Sequence, residues 1–311
     1  SRGWKEVRKI EGQMRDDILD RAQVLCCTCI GSGHEILDGR RFSQVLIDEA
    51  TQATEPSTLV PIVRGARQVV LVGDHRQLSP TVISRRASDG GLSRTLFERI
   101  MDMGVTPHML TKQYRMHPAI SEFPNKQFYS GKLEDGVSES ERKAPAGILW
   151  PDWERPVAFL PVEGGEMTGP DGASKENRVE ASWVAKIVGD IIDAGEIEED
   201  GIGIITPYAA QVRAIRDILP ETLSSIEVKT VDGYQGREKE VIVFSCVRSN
   251  SEGRIGFLSD PRRLNVALTR AKRGLIVIGD PSTLREDENW SAWLEHARKH
   301  NLEAWHIIGM V

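Results

Sequence analysis

Apolar side chains along this chain follow two patterns that predict alternating helices and strands. Helical spacing, in which apolar residues recur every three or four positions, is found at 1–23, 56–62, 179–194 and 210–219. Short apolar runs that are typical of strands occur at 24–30, 43–48, 68–74, 157–160, 203–206, 241–245 and 275–279. Strands that alternate with helices form parallel sheets covered by helices, so the sequence predicts an α/β fold with buried parallel strands.

The pattern also predicts two domains, 1–118 and 119–311. The alternation is interrupted near Pro118, and the stretch 131–178 that follows is rich in Gly, Pro, Ser and Glu. Within it, 164–175 is expected to be a flexible loop. Strands and helices then resume, and 311 residues are enough for two domains of ordinary size.

The most informative apolar run is Val45–Ala50, because it ends in two adjacent carboxylates, Asp48 and Glu49. Ligands of open α/β sheets bind outside the carboxyl ends of the strands. An acidic pair at that position can hold a hard divalent cation through Asp48 and orient a water molecule through Glu49. This pattern predicts the metal half of a nucleoside-triphosphatase site.

Three further segments carry candidate chemistry. In 73–80, Gln77 can donate to a terminal phosphate and accept from a water, although a polar turn would give the same letters. In 113–118, Tyr114 offers a face for a purine and Arg115 a fork for phosphate oxygens, although an isolated Arg is most often a solvated surface residue. In 231–238, two glycines allow close backbone approach, and a plain glycine-rich hairpin is the alternative.

Five cations lie within the twelve residues 262–273 of a chain whose net charge is −6. If this segment is a helix, Arg263, Ala267, Arg270 and Gly274 share one face. A positive face of this kind could supply an arginine finger for a triphosphate, whereas the alternative is a solvated basic helix.

Composition narrows the choice of class. Hydrophobic residues make up 40% and charged residues 28% of the chain, and no run of eighteen apolar residues predicts a membrane span. The acidic balance argues against a protein that binds nucleic acid by bulk charge, although it does not exclude a local basic channel.

Cys26, Cys27 and Cys29 could bind a metal with His34, but buried strand thiols are favoured because neighbouring strand residues point to opposite faces. The few, unpaired cysteines indicate a reducing compartment.

Taken together and in order, these segments resemble the motifs of superfamily 1 helicases, most closely the up-frameshift helicases of nonsense-mediated mRNA decay. The segment 46–56 is similar to that family's Walker B region, 73–80 to motif III, and 113–118 to its Gln-Tyr-Arg-Met-His-Pro motif. The segments 206–211, 231–240 and 262–271 are similar to later motifs that contact nucleic acid and nucleotide. The resemblance implies two RecA-like domains, of which the first is incomplete.

The resemblance also implies a role for each matching residue. Asp48 would hold Mg²⁺, Glu49 would activate the hydrolytic water, and Gln77 would sense the γ-phosphate of ATP. Tyr114 would stack on adenine, Arg115 and Arg270 would act as arginine fingers, and Gly236 and Glu238 would contact the γ-phosphate region and the ribose. The candidates for a single-strand channel are Pro207, Tyr208, Thr230, Asp232 and Arg248.

One departure from the family pattern is the phosphate loop G-x-x-x-x-G-K-[ST], which does not occur in residues 1–47. We therefore expect the rest of the first domain to come from a parent chain or another chain, and this chain alone to bind ATP weakly. By resemblance the partners are single-stranded RNA, or DNA, together with mRNA-decay factors, in the cytoplasm or the nucleus. The competing predictions are a DNA helicase of the same superfamily and a non-catalytic interaction module.

Overall fold

The computed structural model describes residues 2–304, with Arg2 described by its backbone alone. Contacts divide the chain into two units, of which the first comprises residues up to 75 together with 79–105. The second comprises 76–78 and the residues from 106 onward. This division falls earlier than the passage expected near Pro118, because the segment that contains Tyr114 and Arg115 packs within the second unit.

The first unit alternates helices with two short strands. Its elements in chain order are α1 (Arg2–Arg21), β1 (Gln44–Ile47), α2 (Glu55–Ile62), β2 (Gln68–Leu71), α3 (Arg85–Ala87), which continues into a π-helical turn at Ser88–Leu92, and α4 (Leu96–Asp102). β1 and β2 pair in parallel, with Gln44 opposite Gln68 and Ile47 opposite Leu71. The helices predicted at 1–23 and 56–62 are confirmed as α1 and α2.

The prediction that β1 and β2 are fully buried strands is wrong. Ile47 is 4% exposed, but Leu46 is 67% exposed and Val70 51% exposed. In the described part of the first unit these two strands form a sheet of their own, and only one of its faces is covered. An apolar run therefore predicted the strand but not the layer that would cover its second face.

The prediction of a strand at 24–30 is also wrong. This segment is irregular and leads into two 3₁₀ turns, Gly31–Gly33 and Glu35–Leu37. Its hydrogen bonds are local, since the Ser32 amide donates to the carbonyl of Thr28 at 3.0 Å. No strand of the described first unit pairs with the segment, so Val24 is 78% exposed and Cys26 and Cys27 are exposed rather than buried.

The second unit is built on a five-stranded parallel sheet. Its elements are β3 (Lys112–Gln113), α5 (Pro118–Tyr129), β4 (Glu134–Asp135), β5 (Val157–Pro161), β6 (Glu166–Thr168), β7 (Lys175–Asn177), α6 (Arg178–Asp193), β8 (Ile202–Thr206), α7 (Ala209–Ile218), β9 (Glu227–Thr230), β10 (Lys239–Ser245), α8 (Pro261–Leu268), β11 (Ala271–Gly279), α9 (Pro281–Leu284) and α10 (Glu288–Lys299). The strand order is β5-β11-β10-β8-β9, and every neighbouring pair is parallel. The predicted α/β class is confirmed.

Both faces of this sheet are buried, as the apolar runs predict. Side chains alternate along each strand between two clusters, so that Phe244 of β10 packs with Trp290 and Trp293 of α10, whereas Val243 packs with Val184 and Ile187 of α6. Such double coverage is the condition under which parallel strands consist of continuous apolar residues.

Two expectations for the second unit differ from the structure. The stretch 164–175, expected as a flexible loop, contains β6 and the first residue of β7, which pair antiparallel, and backbone amides that donate to Asp171 close the turn between them. The basic segment 262–273 is not one helix, because α8 ends at Leu268 and Ala271 already begins β11. The β-branched run of β11 finds hydrogen-bond partners on both sides in β10 and β5, and this pairing outweighs the helical spacing.

Among residues 2–304 no helix combines the length and the apolar character needed to cross a bilayer.

Candidate active site

In the first unit the acidic pair follows β1 directly, at the carboxyl end of the strand. The Asp48 carboxylate accepts a hydrogen bond from the Glu49 amide at 2.9 Å, and Gln52 donates to the Glu49 carboxylate. Glu49 has φ +52°, a left-handed conformation that costs a non-glycine residue about 1–3 kcal/mol. Such strain persists only where the surroundings impose it, and here the Ala50 amide is held by the carbonyl of Val72 at 2.7 Å.

The end of β2 lies beside this acidic turn. The Thr51 hydroxyl donates to the carbonyl of Asp74 at 3.2 Å, and a Cβ at Gly73 would lie 3.0 Å from Thr51. Gly73 therefore allows the two strand ends to approach closely. Asp48, Glu49 and Asp74 consequently belong to one edge of the strand pair.

These residues fit a magnesium ion of the kind that proteins bind together with a substrate. Mg²⁺ keeps several waters and uses one or two carboxylates plus substrate phosphates. Asp48 is exposed, and only its Oδ1 is engaged by the Glu49 amide. The donor set is thus a hard carboxylate at a strand end rather than a closed protein cage.

In the second unit, the segment 113–118 is fixed to the start of β11. The amide of His117 donates to the carbonyl of Lys272 at 2.8 Å, and its Nδ1 accepts from the Ala119 amide, which caps α5. The Gln113 side chain folds the segment, since its Oε1 accepts from the amides of Arg115 and Met116. His117 is therefore the N-cap of α5.

Arg115 is positioned by this segment to reach two further residues. Its Nε donates to Glu238 at 2.6 Å and its Nη1 to the carbonyl of Thr269 at 3.0 Å. Partial burial raises the pKa of the Glu238 carboxyl, but the hydrogen bond and charge of Arg115 and the charge of Lys272 outweigh it, so the pKa lies below its ordinary value. Glu238 is therefore an ionised acceptor at neutral pH.

Arg270 lies at the junction between α8 and β11 and is only 2% exposed. Its Nε donates to the carbonyl of Val266 at 3.1 Å, and its Nη2 donates to the Thr269 hydroxyl at 2.8 Å and to Gln77 at 3.2 Å. The interpretation as a solvated basic helix is therefore wrong for Arg270, because the guanidinium is buried among acceptors.

Four of the predicted residues thus gather around a single residue, Thr269. Arg115 contacts the Thr269 carbonyl and Arg270 contacts its hydroxyl, while Glu238 and Gln77 are the next partners of the two guanidinium groups. Sequence reasoning missed Thr269. Its position next to Arg270 could have indicated it, because it directly follows the helix that Asp260 caps.

The remaining nucleotide candidates lie in exposed turns of the second unit. Tyr114 is 62% exposed, and a Cβ at Gly136 would lie 2.5 Å from its ring, so only glycine leaves room for the ring there. Gly236 has φ +72°, which any other residue would adopt only with strain.

Two nucleic-acid candidates are buried rather than open. Tyr208 is 5% and Arg248 is 7% exposed, and the Arg248 guanidinium donates to the Tyr208 hydroxyl at 3.2 Å and to Glu166 at 3.0 Å. Burial lowers the pKa of Arg248, but the bonds to Tyr208 and Glu166 more than compensate and raise it. Sequence reasoning missed Glu166, which was placed within a loop.

The other nucleic-acid candidates lie near the carboxyl ends of β8 and β9. Pro207 follows β8 and is buried, and the Thr230 hydroxyl accepts from the Gly233 amide at 3.3 Å. Asp232 accepts from the guanidinium of Arg263 at 3.2 Å. These roles stay predictions.

An exposed aromatic ring that the sequence analysis did not single out lies beside this region. Phe257 is 55% exposed, the guanidinium of Arg263 lies 5.1 Å from its ring centroid, and the Tyr208 ring lies 5.4 Å from it. An exposed ring combined with a cation is the combination on which bases stack in single-strand channels.

Comparison with known proteins finds two family profiles that match this chain. Family profiles described as an AAA domain match residues 1–85 and 92–282. The second match covers more than half of the chain, and the chain therefore belongs to the AAA domain family.

Curated relatives are similar to this chain over nearly its whole length. A regulator of nonsense transcripts 1 homolog of Neurospora crassa is 46% identical over 304 residues, which are 95% of this chain and 28% of that protein. The ATP-dependent helicase NAM7 of Saccharomyces cerevisiae is 45% identical over 303 residues, which are 95% of this chain and 31% of that protein. The resemblance to the up-frameshift family is confirmed, and the chain spans about a third or less of the length of these relatives.

A solved structure, titled the structure of PRRSV helicase, is 16% identical and aligns with 76% of this chain and 34% of that chain at a TM-score of 0.40. This likeness is too low to support an argument about the site.

Proposed function

We propose that this chain is a segment of the core of an ATP-dependent RNA helicase or translocase of the nonsense-mediated mRNA decay type. Such an enzyme couples ATP hydrolysis to movement along single-stranded nucleic acid. The observation that carries the proposal is the convergence of Arg115, Arg270, Gln77 and Glu238 around Thr269. The two relatives named ATP-dependent helicase support it, because each matches 303 residues, or 95% of this chain, at 44–45% identity.

The second unit would recognise the nucleotide through fixed donors. The guanidinium groups of Arg115 and Arg270 are held by backbone carbonyls, so their forks are oriented before a phosphate arrives. Gln77, bonded to Arg270, can donate to the γ-phosphate through its amide. Tyr114 would stack on adenine, and Gly236 and Glu238 would contact the γ-phosphate region and the ribose.

The first unit would supply the hydrolytic groups. Glu49 would accept the proton of the attacking water, and the hydrogen bond from the Gln52 side chain holds its carboxylate. Asp48 would hold the Mg²⁺ that accompanies ATP, and the ion would supply charge neutralisation for the phosphates. This assignment of cofactors rests on the strand-end geometry of the acidic pair.

For the polymer we infer single-stranded RNA, with DNA as the alternative outcome of the test. Phe257 and Arg263 offer a stacking surface beside Tyr208, and Asp232 contacts Arg263. Pro207, Thr230 and Arg248 would complete the proposed channel. We infer mRNA-decay factors as protein partners and the cytoplasm as the location. A non-catalytic module is disfavoured, because a scaffold needs no buried guanidinium aimed at a glutamine.

The test is an ATPase measurement on this segment within a protein of the relatives' full length. We expect turnover that is stimulated by single-stranded RNA oligonucleotides and that depends on Mg²⁺. Stimulation by DNA alone would select the DNA helicase, whereas ATP binding without turnover on either polymer would favour the interaction module. Binding of ATP by the present chain alone with submicromolar affinity would contradict the expectation that this chain binds ATP weakly.

A further inference from the structure

Three side chains of metal-binding type meet where α5 and α10 pack together in the second unit. Glu122 projects from α5, and His296 and His300 come from the last turn and the C-cap of α10 at a spacing of four residues. Each offers one ligand atom, and the three atoms lie within 4.8 Å of one another. Among residues 2–304 this is the one such cluster of His, Cys, Asp and Glu.

The distances suit a small tetrahedral ion. His300 Nε2 lies 3.4 Å from Glu122 Oε1. Zinc bound by nitrogen and oxygen at about 2.0–2.1 Å places neighbouring ligand atoms about 3.3–3.4 Å apart. The His–Glu edge therefore already has the required length, and the ligand atom of His296 lies within 4.8 Å of both.

The two imidazoles have unused ligand atoms. Nε2 of His296 and Nε2 of His300 are both buried and have no hydrogen-bond partner. A neutral imidazole with a free nitrogen is the form that binds a metal.

The surroundings hold the third ligand in place. Glu122 Oε2 accepts a hydrogen bond from Arg155, whereas Oε1 faces His300. The carboxylate can therefore bind a metal through Oε1 while Oε2 stays bonded to Arg155. Ligating carboxylates are commonly hydrogen-bonded in this way. The rings are oriented by aromatic neighbours, since His296 lies 5.9 Å from Trp293 and 5.5 Å from Phe123 between ring centroids.

We propose that Glu122, His296 and His300 form a site for a first-row divalent metal ion, with zinc as the ion that the donor set suits best. Two imidazoles and one carboxylate leave a fourth tetrahedral position for water, and Glu122 is 44% exposed, which gives the ion an entry path. The bound ion ties α5, which follows the segment carrying Arg115, to the end of α10.

The experiment uses the chain without a polyhistidine tag, after treatment with a chelator. Titration with Zn²⁺ by calorimetry is expected to give one equivalent bound with micromolar or tighter affinity and a higher melting temperature. Co²⁺ in its place is expected to give the visible absorption bands of tetrahedral coordination. His300→Gln, at the helix end, and Glu122→Gln are each expected to weaken Zn²⁺ binding by at least about tenfold.

The control separates this site from the thiols of the first unit. A variant with serine at Cys26, Cys27 and Cys29 is expected to keep full affinity, and so is His108→Gln, which changes an exposed histidine elsewhere. Circular dichroism confirms that each variant is folded. Affinity that is unchanged in His300→Gln and Glu122→Gln, lost in the cysteine variant, or no better than millimolar in the parent chain overturns the proposal.

Discussion

Two parallel sheets of this protein, β1–β2 in the first unit and the five strands of the second, are built from similar apolar runs but have different surroundings. In the second unit Ile242 and Val243 of β10 are both fully buried, because helices cover each face of the five strands. In the first unit Ile47 of β1 is buried while its neighbour Leu46 is 67% exposed. The same pattern of letters thus gives a core strand in one unit and a half-covered strand in the other.

The comparison extends to the candidate chemistry. The first unit presents Asp48 and Glu49 as exposed carboxylates on a strained turn, whereas the second holds Arg270 as a buried guanidinium within a network of acceptors. Exposed carboxylates can be hydrated until a ligand arrives, but a buried guanidinium must be satisfied by the fold itself. The second unit is therefore pre-organised by its own hydrogen bonds, and the experiments below test that difference.

The largest effect is expected at the buried cation. Arg270→Lys removes the fork that bonds Val266, Thr269 and Gln77 at once, so we expect ATP turnover in the full-length protein to fall by about 10³ to 10⁵-fold. Arg254→Lys, at an exposed arginine, is the matched control and should leave turnover unchanged. Equal activity of Arg270→Lys and the control would show that the buried network has no part in hydrolysis.

The carboxylate of the strained turn is expected to matter next. Glu49→Gln removes the proposed base while keeping the hydrogen-bond acceptor for Gln52, so turnover should fall by about 10² to 10⁴-fold with nucleotide affinity preserved. Steady-state ATPase and equilibrium binding of a fluorescent ATP analogue separate the two effects. Glu35→Gln, at an exposed position of the same unit, serves as the control, and undiminished turnover of Glu49→Gln rejects the assignment.

Stability should show the difference between the two sheets directly. Ile242→Ala opens a cavity in the doubly covered sheet and is expected to cost about 2–5 kcal/mol of unfolding free energy. Leu46→Ala removes a side chain that is mostly in water and should cost less than about 1 kcal/mol. Urea unfolding of this chain measures both variants. A larger loss for Leu46→Ala would mean that its face is covered in solution.

The exposed aromatic ring gives a smaller effect on nucleic-acid affinity. Phe257→Ala should weaken binding of single-stranded RNA by about 1–3 kcal/mol, because a base loses its stacking partner beside Arg263. Fluorescence anisotropy with labelled oligonucleotides reports the change. Phe257→Trp keeps an aromatic ring and should bind the RNA as tightly as the parent chain. Met167→Ala, which shortens another exposed apolar side chain, should leave the RNA affinity unchanged.

The last prediction concerns a buried carboxyl that the first unit does not have among its described residues. Burial is the main cause that raises the pKa of Glu180 from 4.5 to about 8, against the opposing bonds from Ser245 and the Val247 amide. The folded protein therefore binds a proton that the unfolded chain releases, and unfolding free energy should fall as pH rises from about 5 to about 8, by at most about 1.4 kcal/mol per pH unit.

Glu180→Gln is the test of that dependence. The amide keeps the neutral hydrogen-bonding form, so the variant should show a flatter stability profile between pH 5 and 8 than the parent chain, measured by urea unfolding. Glu176→Gln, at another buried glutamate on the neighbouring strand β7, should retain the slope of the parent. A slope that Glu180→Gln leaves unchanged would assign the titration to another group.

By itself the sequence determined the α/β class, most strands of the five-stranded sheet and the order of the functional motifs, because apolar runs and turn residues act locally. It also identified Arg115, Arg270, Gln77 and Glu238 as candidates, since their residue types limit what they can bind.

The tertiary structure alone decided what those residues contact and which strands are covered. Arg270 leaves the predicted helix because β11 finds partners on both sides, and the segment 24–30 remains irregular because the described first unit offers it no partner strand. Thr269 becomes the meeting point of two guanidinium groups through a contact with Arg115 that spans 154 positions of the chain, and Arg270 reaches Gln77 across 193 positions. Pairing and burial depend on such distant neighbours, and the local pattern of letters carries no information about them.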